Sequence, residues 1–75
     1  MNNLVVGAVY RHFKGNLYKV IGTGFDSETM NEVVIYLALY DDYKIWVRNK
    51  EMFLSKVDKE KYPEIKETYR FTKID

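Results

Sequence analysis

Apolar and polar positions alternate along most of this chain with the two-residue period of β-strands. The most pronounced segment, residues 33–40, has no charged residue. Strand geometry divides it into an aliphatic side and a mainly aromatic side. The aliphatic side consists of Val33, Ile35, Leu37 and Leu39, and the other side consists of Val34, Tyr36, Ala38 and Tyr40. We predict that the aliphatic side faces the core.

A returning strand follows, and its two aliphatic positions match the predicted core side: Ile45 and Val47. A loop with an odd number of residues keeps them on that side, and residues 41–43 form the shortest such loop. This loop sets Ala38 opposite Trp46 and Tyr36 opposite Arg48. An even loop would instead turn Arg48 into the core, where an unpaired charge is costly.

Three further strands are predicted over residues 9–13, 17–22 and 69–74. Asn49 is placed to cap a short helical turn over residues 50–53. Five short strands with one or two helical turns favour a mainly β fold, a small SH3-like barrel, as one domain over residues 1–75.

The 12 Lys and Arg residues nearly balance the 11 Asp and Glu residues, but the charges are grouped in blocks. Residues 1–25 sum to +3, residues 26–43 to −5, and residues 44–75 to +3. Solvated strand ends and loops explain such blocks, and so does a local basic surface that meets an anion. The net charge of +1 is lower than that of dedicated nucleic-acid binders.

The chain has no cysteine, which excludes disulfides, Cys-based metal sites and thiol nucleophiles. Its N-terminal apolar run breaks at Gly7, so we expect no secretory signal. No apolar run is long enough to span a bilayer. These features predict a cytoplasmic protein without a membrane partner.

The single histidine, His12, is the only strong candidate for acid–base chemistry. A strand histidine bonded to a polar neighbour is the favoured explanation, and no nucleophile motif accompanies it. An enzyme or enzyme accessory using His12 beside Arg11 and Ser27 remains an alternative hypothesis. One histidine without cysteine does not build a zinc site, so we expect no metal and no cofactor.

The aromatic residues point to binding rather than catalysis. Aromatic rings interleaved with cations stack bases and neutralise phosphates, and they also line peptide grooves. The predicted ligand face therefore consists of Tyr36, Tyr40, Trp46 and Arg48, with His12 and Lys14 as an anion-contacting edge. We predict a non-catalytic binding or adaptor module for single-stranded nucleic acid or a peptide. Two alternatives stay open: the rings pack within the barrel, or a weak homo-oligomer hides them.

Several ordered motifs resemble a bacterial family of small proteins, domain-of-unknown-function family 1653. The longest covers residues 10–18, Tyr-Arg-His-Phe-Lys-Gly-Asn-Leu-Tyr, followed by Val20. The others are Ser27-Glu28-Thr29, Val34 with Tyr36 and Leu39-Tyr40, Trp46-Val47-Arg48 with Met52-Phe53, and Arg70-Phe71. Asp41 and Asn49 depart from the glycine and proline that are usual at these turns. The resemblance spans residues 7–74 and implies an SH3-type barrel with no established activity.

Overall fold

A computed structural model describes residues 3–74 as one antiparallel sheet of five strands with one short helix. In chain order the elements are β1 Val9–His12, β2 Leu17–Phe25, β3 Glu32–Ala38, β4 Ile45–Asn49, α1 Lys50–Phe53 and β5 Phe71–Lys73. The strands lie in the order β4-β3-β2-β1-β5, so the last strand returns to pair with the first. The predicted mainly β fold is confirmed, and the SH3-type barrel stays a prediction.

The sheet is strongly curved because β2 contains a bulge. Its register against β3 shifts between Val20 and Gly22, which leaves Ile21 as an extra residue. A bulge increases local twist and bends the strand that carries it. The curvature brings β3 and β5 together although two strands separate them, and the rings of Tyr36 and Phe71 lie 5.5 Å apart. The concave side of the sheet therefore encloses the core.

Aromatic rings form most of this core. Phe71 stacks on Phe53 with the ring centroids 4.0 Å apart and the planes nearly parallel. Tyr10 and Tyr36 meet Phe53 edge-on from β1 and β3. The buried apolar residues are Tyr10, Phe13, Val20, Val34, Tyr36, Ala38, Phe53, Val57 and Phe71. Each ring buries a large area, which suits a domain with few core positions.

The buried tyrosines keep their hydroxyl groups hydrogen-bonded. Tyr10 Oη accepts from the amide of Val5 at 2.9 Å and donates to the carbonyl of Asn3 at 3.1 Å. Tyr36 Oη accepts from Nε of Arg48 at 3.2 Å. Because a buried hydroxyl without a partner is costly, these bonds allow tyrosine to replace an aliphatic residue in the core.

The prediction of which side of β3 faces the core is wrong. Val34, Tyr36 and Ala38 are buried, whereas the aliphatic residues of the opposite side remain half-buried. The aromatic residues of β5 and α1 supply the other wall of the core, and they pack against Tyr36 edge-on. These packing partners are distant from β3 in the sequence. The aliphatic residues of β3 alone therefore did not determine which of its sides faces the core.

The loop between β3 and β4 has an odd number of residues, as predicted. The pairing of the two strands is shifted by two residues from the predicted register. Tyr36 lies opposite Trp46, and Val34 lies opposite Arg48. The amide of Ala38 donates to the carbonyl of Lys44, so the turn occupies residues 39–43. Trp46 and Arg48 consequently share the inner face with Tyr36, as their alternation predicted.

Helix α1 begins at the predicted cap. The side chain of Asn49 accepts a hydrogen bond from the amide of Met52 at 3.3 Å, as expected for an N-cap residue. This turn places Phe53 in the core. Residues 3–74 include no helix with the length and apolar character needed to cross a membrane.

Candidate functional site

Arg48 lies on the inner face of β4 and is held there by two aromatic residues. Its Nε donates to the hydroxyl of Tyr36 at 3.2 Å. Its Cζ lies 5.9 Å from the ring centroid of Phe71, within the range of a cation–π contact. Because both rings are buried, they fix the position of the guanidinium group. The charge of Arg48 is thus set at the border of the aromatic core.

His12 lies near Arg48, at the end of β1. It pairs with Phe71 of β5, and the two rings meet edge-on at 4.9 Å. The His12 ring also packs against the ring of Phe13, with the centroids 4.5 Å apart. Nδ1 accepts a hydrogen bond from the amide of Lys14 at 3.1 Å. A neutral imidazole that accepts at Nδ1 carries its proton on Nε2, so His12 offers one donor.

The surroundings of His12 disfavour its protonation. Its pKa is lowered from 6.5 to about 4, first by burial and then by the positive charges of Arg48, Arg70 and Lys14. His12 is therefore neutral at pH 7. After burial, three cations therefore contribute to lowering the pKa of this half-buried imidazole.

Arg70 is a site residue that the sequence analysis did not select. Its Nε donates to Oγ of Ser55 at 3.2 Å, and its amide donates to the Ser55 carbonyl at 2.9 Å. Its own carbonyl accepts from the amide of Phe13, which ties it to the end of β1. The sequence feature that could have indicated Arg70 was the closing Arg70-Phe71 pair. The proximity of Arg70 to His12 depends on the pairing of β1 with β5, which local patterns do not reveal.

Lys14 lies at the rim of the site. Its Nζ is 5.4 Å from the ring centroid of Tyr62 and 5.9 Å from that of Phe13. The side chain is exposed, in a turn that Gly15 closes with a left-handed φ of 113°. Lys14 therefore contributes charge near His12 while its amide orients the imidazole.

Tyr40 reaches the site through Tyr18. The two hydroxyl oxygens are 2.6 Å apart, and the rings meet edge-on. Burial, followed by this hydrogen bond, raises the pKa of Tyr18 to about 12. Tyr18 also packs edge-on against Tyr36 and Phe71. The half-buried Tyr40 thus extends the aromatic cluster toward the turn after β3.

The two predicted ligand rings on β3 and β4 differ in exposure. Tyr36 is only 4% exposed, whereas Trp46, which lies opposite it, is 45% exposed. Tyr36 is therefore a support for Arg48, and Trp46 is the ring that a ligand can reach. We call the following set the Trp46–Arg48 face: Trp46, Arg48, His12, Arg70, Lys14 and Tyr40.

No carboxylate neutralises the cations of this face within residues 3–74. The ion pair found in this part of the chain joins Lys50 to Glu32 at 3.3 Å, outside the face. Arg48 and Arg70 instead use Nε to bond hydroxyl groups, which leaves their positive charge uncompensated. These uncompensated positive charges make the Trp46–Arg48 face suited to binding an anion.

A cavity of about 370 Å³ lies elsewhere, beside α1 and the first residue of β3. Its lining residues are Asn31, Glu32, Asn49, Lys50, Glu51 and Leu54. None of the predicted site residues lines it. Its two oppositely charged residues, Lys50 and Glu32, already pair with each other. Charge and exposed aromatic surface therefore favour the Trp46–Arg48 face as the candidate site.

The residues of the enzyme hypothesis are not brought together. Arg11 precedes His12 in β1, so its side chain leaves the opposite side of the sheet. Ser27 lies in the β2–β3 turn, whereas His12 lies at the β1–β2 turn, the other end of β2. The described residues contain no group of three or more His, Asp or Glu side chains that could hold a metal ion.

These features define a small all-β protein with a curved five-stranded sheet and an aromatic and basic concave face. The chain belongs to the family described as "Protein of unknown function (DUF1653)", whose family model matches residues 8–73. It is similar to the crystal structure of a protein of this family from Bordetella bronchiseptica, with a TM-score of 0.77 and 26% identity. The match covers 99% of this chain and 92% of that chain. No curated protein matches the sequence.

Proposed function

We propose that this protein is a non-catalytic binding module that takes single-stranded nucleic acid on the Trp46–Arg48 face. The observation that carries the proposal is the uncompensated charge of Arg48, fixed between Tyr36 and Phe71, beside an exposed tryptophan. The strand order and the bent β2 support an SH3-type barrel as its architecture. The cysteine-free sequence is compatible with a location in the cytoplasm.

The cations of the face are preorganised for phosphate groups. Tyr36 orients Arg48, and Ser55 orients Arg70, so neither side chain must be ordered again when a ligand binds. Arginine also offers several N–H donors in a planar arrangement that matches phosphate oxygens. His12 adds an Nε2 donor to the same face and carries no charge of its own at pH 7.

The exposed ring favours a nucleic acid over an acidic peptide. Trp46 and Arg48 are two residues apart on one strand, so their side chains are neighbours on the same face. A base stacked on Trp46 would place its phosphate within reach of Arg48, whereas an acidic side chain carries no aromatic ring beside its carboxylate. A peptide ligand is therefore the competing outcome of the test.

The expected affinity is weak and sensitive to salt. Three cations that each contact a phosphate give a slope of about −2 for log K against log salt concentration on single strands. Stacking on one ring adds about 1–3 kcal/mol. Binding should consequently be strongest at low ionic strength and show little dependence on sequence.

An amide NMR titration against short single-stranded RNA and DNA pools at low salt tests this function. We expect shifts at residues 12–14, 46–48 and 70 that fade as salt increases. Arg48→Gln should abolish them. Lys19→Gln removes the same charge from the opposite side of the sheet and should leave them unchanged.

Two results would contradict the proposal. A protein that stays silent with both nucleic-acid pools but shifts with acidic peptides would be a peptide-binding module instead. Equal loss of binding in Arg48→Gln and Lys19→Gln would show that net charge, and not this face, attracts the ligand.

A further inference from the structure

The segment between α1 and β5 carries a tyrosine that docks beside the Trp46–Arg48 face. Tyr62 is half-buried, and its ring packs edge-on against Phe13 with the centroids 5.0 Å apart. Phe13 in turn packs against His12 of the face. Tyr62 therefore continues the row of ring contacts that begins at Phe71 and passes through His12.

Two lysine side chains lie over this one ring. Nζ of Lys14 is 5.4 Å and Nζ of Lys61 is 5.5 Å from the ring centroid of Tyr62, both within the range of a cation–π contact. Such a contact orients an ammonium group without neutralising its charge. Neither lysine forms an ion pair within residues 3–74, where the ion pair joins Lys50 to Glu32. Tyr62 thus holds two exposed, uncompensated cations close together.

The backbone that carries Tyr62 is fixed by hydrogen bonds within residues 58–67. Nζ of Lys59 donates to the carbonyl of Ile65 at 2.5 Å and to that of Glu67 at 2.6 Å. The amide of Tyr62 donates to the carbonyl of Asp58 at 2.9 Å. Because these bonds already order the loop, little further ordering is needed when a ligand binds.

We propose that Lys14, Tyr62 and Lys61 form a second phosphate subsite, which extends the Trp46–Arg48 face to a strand longer than a dinucleotide. This inference rests on the proposed function, because it names a further contact of the same single-stranded ligand. Lys14 belongs to both places, since its amide bonds Nδ1 of His12 and its ammonium lies over Tyr62. A strand that occupies the face and continues past His12 would therefore meet Lys14 and then Lys61.

The chemistry of the second subsite favours phosphate groups over bases. Ammonium groups bind phosphate oxygens as point charges, and such contacts carry no sequence information. The half-buried ring of Tyr62 already contacts both lysines, so we expect it to position them and not to stack on a base. Residues 58–67 carry four acidic residues against three lysines. The subsite consequently depends on the placement of Lys61 and not on an excess of positive charge in the loop.

Quenching of tryptophan fluorescence measures binding at the face directly, because Trp46 is the only tryptophan of the chain. We expect a thymidine hexanucleotide to bind at least about tenfold tighter than a dinucleotide at low salt. Lys61→Gln should weaken binding of the hexanucleotide several-fold and leave that of the dinucleotide unchanged. It should also reduce the slope of log K against log salt concentration by about 0.7 for the hexanucleotide. Lys66→Gln removes the same charge from another exposed position of the loop and serves as the control.

Amide NMR spectra of the wild-type protein provide a test that needs no variant. The hexanucleotide should shift residues 14, 61 and 62, whereas the dinucleotide should leave residues 61 and 62 unchanged. Equal affinity for the two oligonucleotides, equal losses in Lys61→Gln and Lys66→Gln, or hexanucleotide shifts that stop at residue 14 would each overturn the second subsite and leave the proposed function standing. If neither oligonucleotide quenches Trp46, the proposed function fails and the second subsite fails with it.

Discussion

Tyr36 positions Arg48 through a hydrogen bond from Nε to the phenol oxygen, 3.2 Å long. The phenol ring is buried in the aromatic core, while Arg48 is half-buried on the same side of the sheet. A core residue therefore orients a half-buried charge. Removing the Tyr36 hydroxyl should therefore change the position of Arg48 while every residue of the Trp46–Arg48 face stays in place.

Tyr36→Phe should lower the free energy of unfolding by about 0.5–1.5 kcal/mol, the usual contribution of one hydrogen bond. It should also weaken nucleic-acid binding several-fold, because Arg48 loses one of its two supports. Denaturant unfolding and NMR titration measure the two effects. Tyr40→Phe removes a hydroxyl that bonds Tyr18 and not Arg48, so it should weaken binding less. Equal affinity losses in the two variants would refute the positioning role.

Trp46→Ala should spare folding and reduce nucleic-acid affinity by at least about tenfold, because a stacking ring contributes about 1–3 kcal/mol per base. Trp46→Phe should retain part of the affinity, since any aromatic ring offers a face for stacking. Phe25→Ala removes an exposed ring at the far end of β2 and serves as the control. A Trp46→Ala chain that unfolds would identify the ring as part of the core and contradict the proposed role.

The stability of the protein should decrease as the pH falls from about 6.5 to about 4. In this interval the unfolded chain protonates His12, whereas the folded chain keeps it neutral because its pKa is lowered to about 4. The full difference corresponds to about 3 kcal/mol, and solvent screening of the half-buried ring reduces it to about 1–2 kcal/mol. Below pH 4 this contribution is constant.

Denaturant unfolding at several pH values, compared with His12→Asn, measures this effect. The asparagine side chain retains an acceptor for the Lys14 amide but does not titrate. Carboxyl groups contribute equally to both proteins, so the difference between their pH profiles isolates His12. Parallel profiles between pH 4 and 6.5 would show that its pKa is not lowered.

Binding of an anion should raise the pKa of His12, because negative charge offsets Arg48, Arg70 and Lys14. Linkage then requires the affinity for nucleic acid to increase as the pH falls toward the pKa of the complex. NMR titration of the His12 ring with and without a single-stranded oligonucleotide measures the shift. An unchanged pKa in the saturated complex would place the anion away from His12.

The approximate positions of the strands and the cap at Asn49 could be predicted from sequence because they depend on neighbouring residues. The β3–β4 turn is two residues longer than predicted. The inner side of β3 was mispredicted because it depends on Phe53 and Phe71, which come from later segments. The aliphatic side of β3 is only half-buried, so an aliphatic row does not by itself identify the side of a strand that faces the core.

The candidate site was predictable only in part for the same reason. Alternation along β4 correctly grouped Trp46 with Arg48, and it placed Tyr36 on their side. The burial of Tyr36 and the role of Arg70 follow from long-range packing around Phe71. The charge blocks left a basic surface as one of two explanations, and only the folded chain shows which cations lie near His12.

The pairing of His12 with Phe71 also has a kinetic consequence. The two residues belong to the first and the last strand, so this contact closes a loop over residues 12–71, most of the described chain. Closing such a loop costs entropy before the contact stabilises anything, and folding slows as contacts become less local. The β1–β2 hairpin can form early, but the aromatic core is complete only when β5 docks. Refolding should therefore be a millisecond-to-second process whose transition state is sensitive to substitution at Phe71.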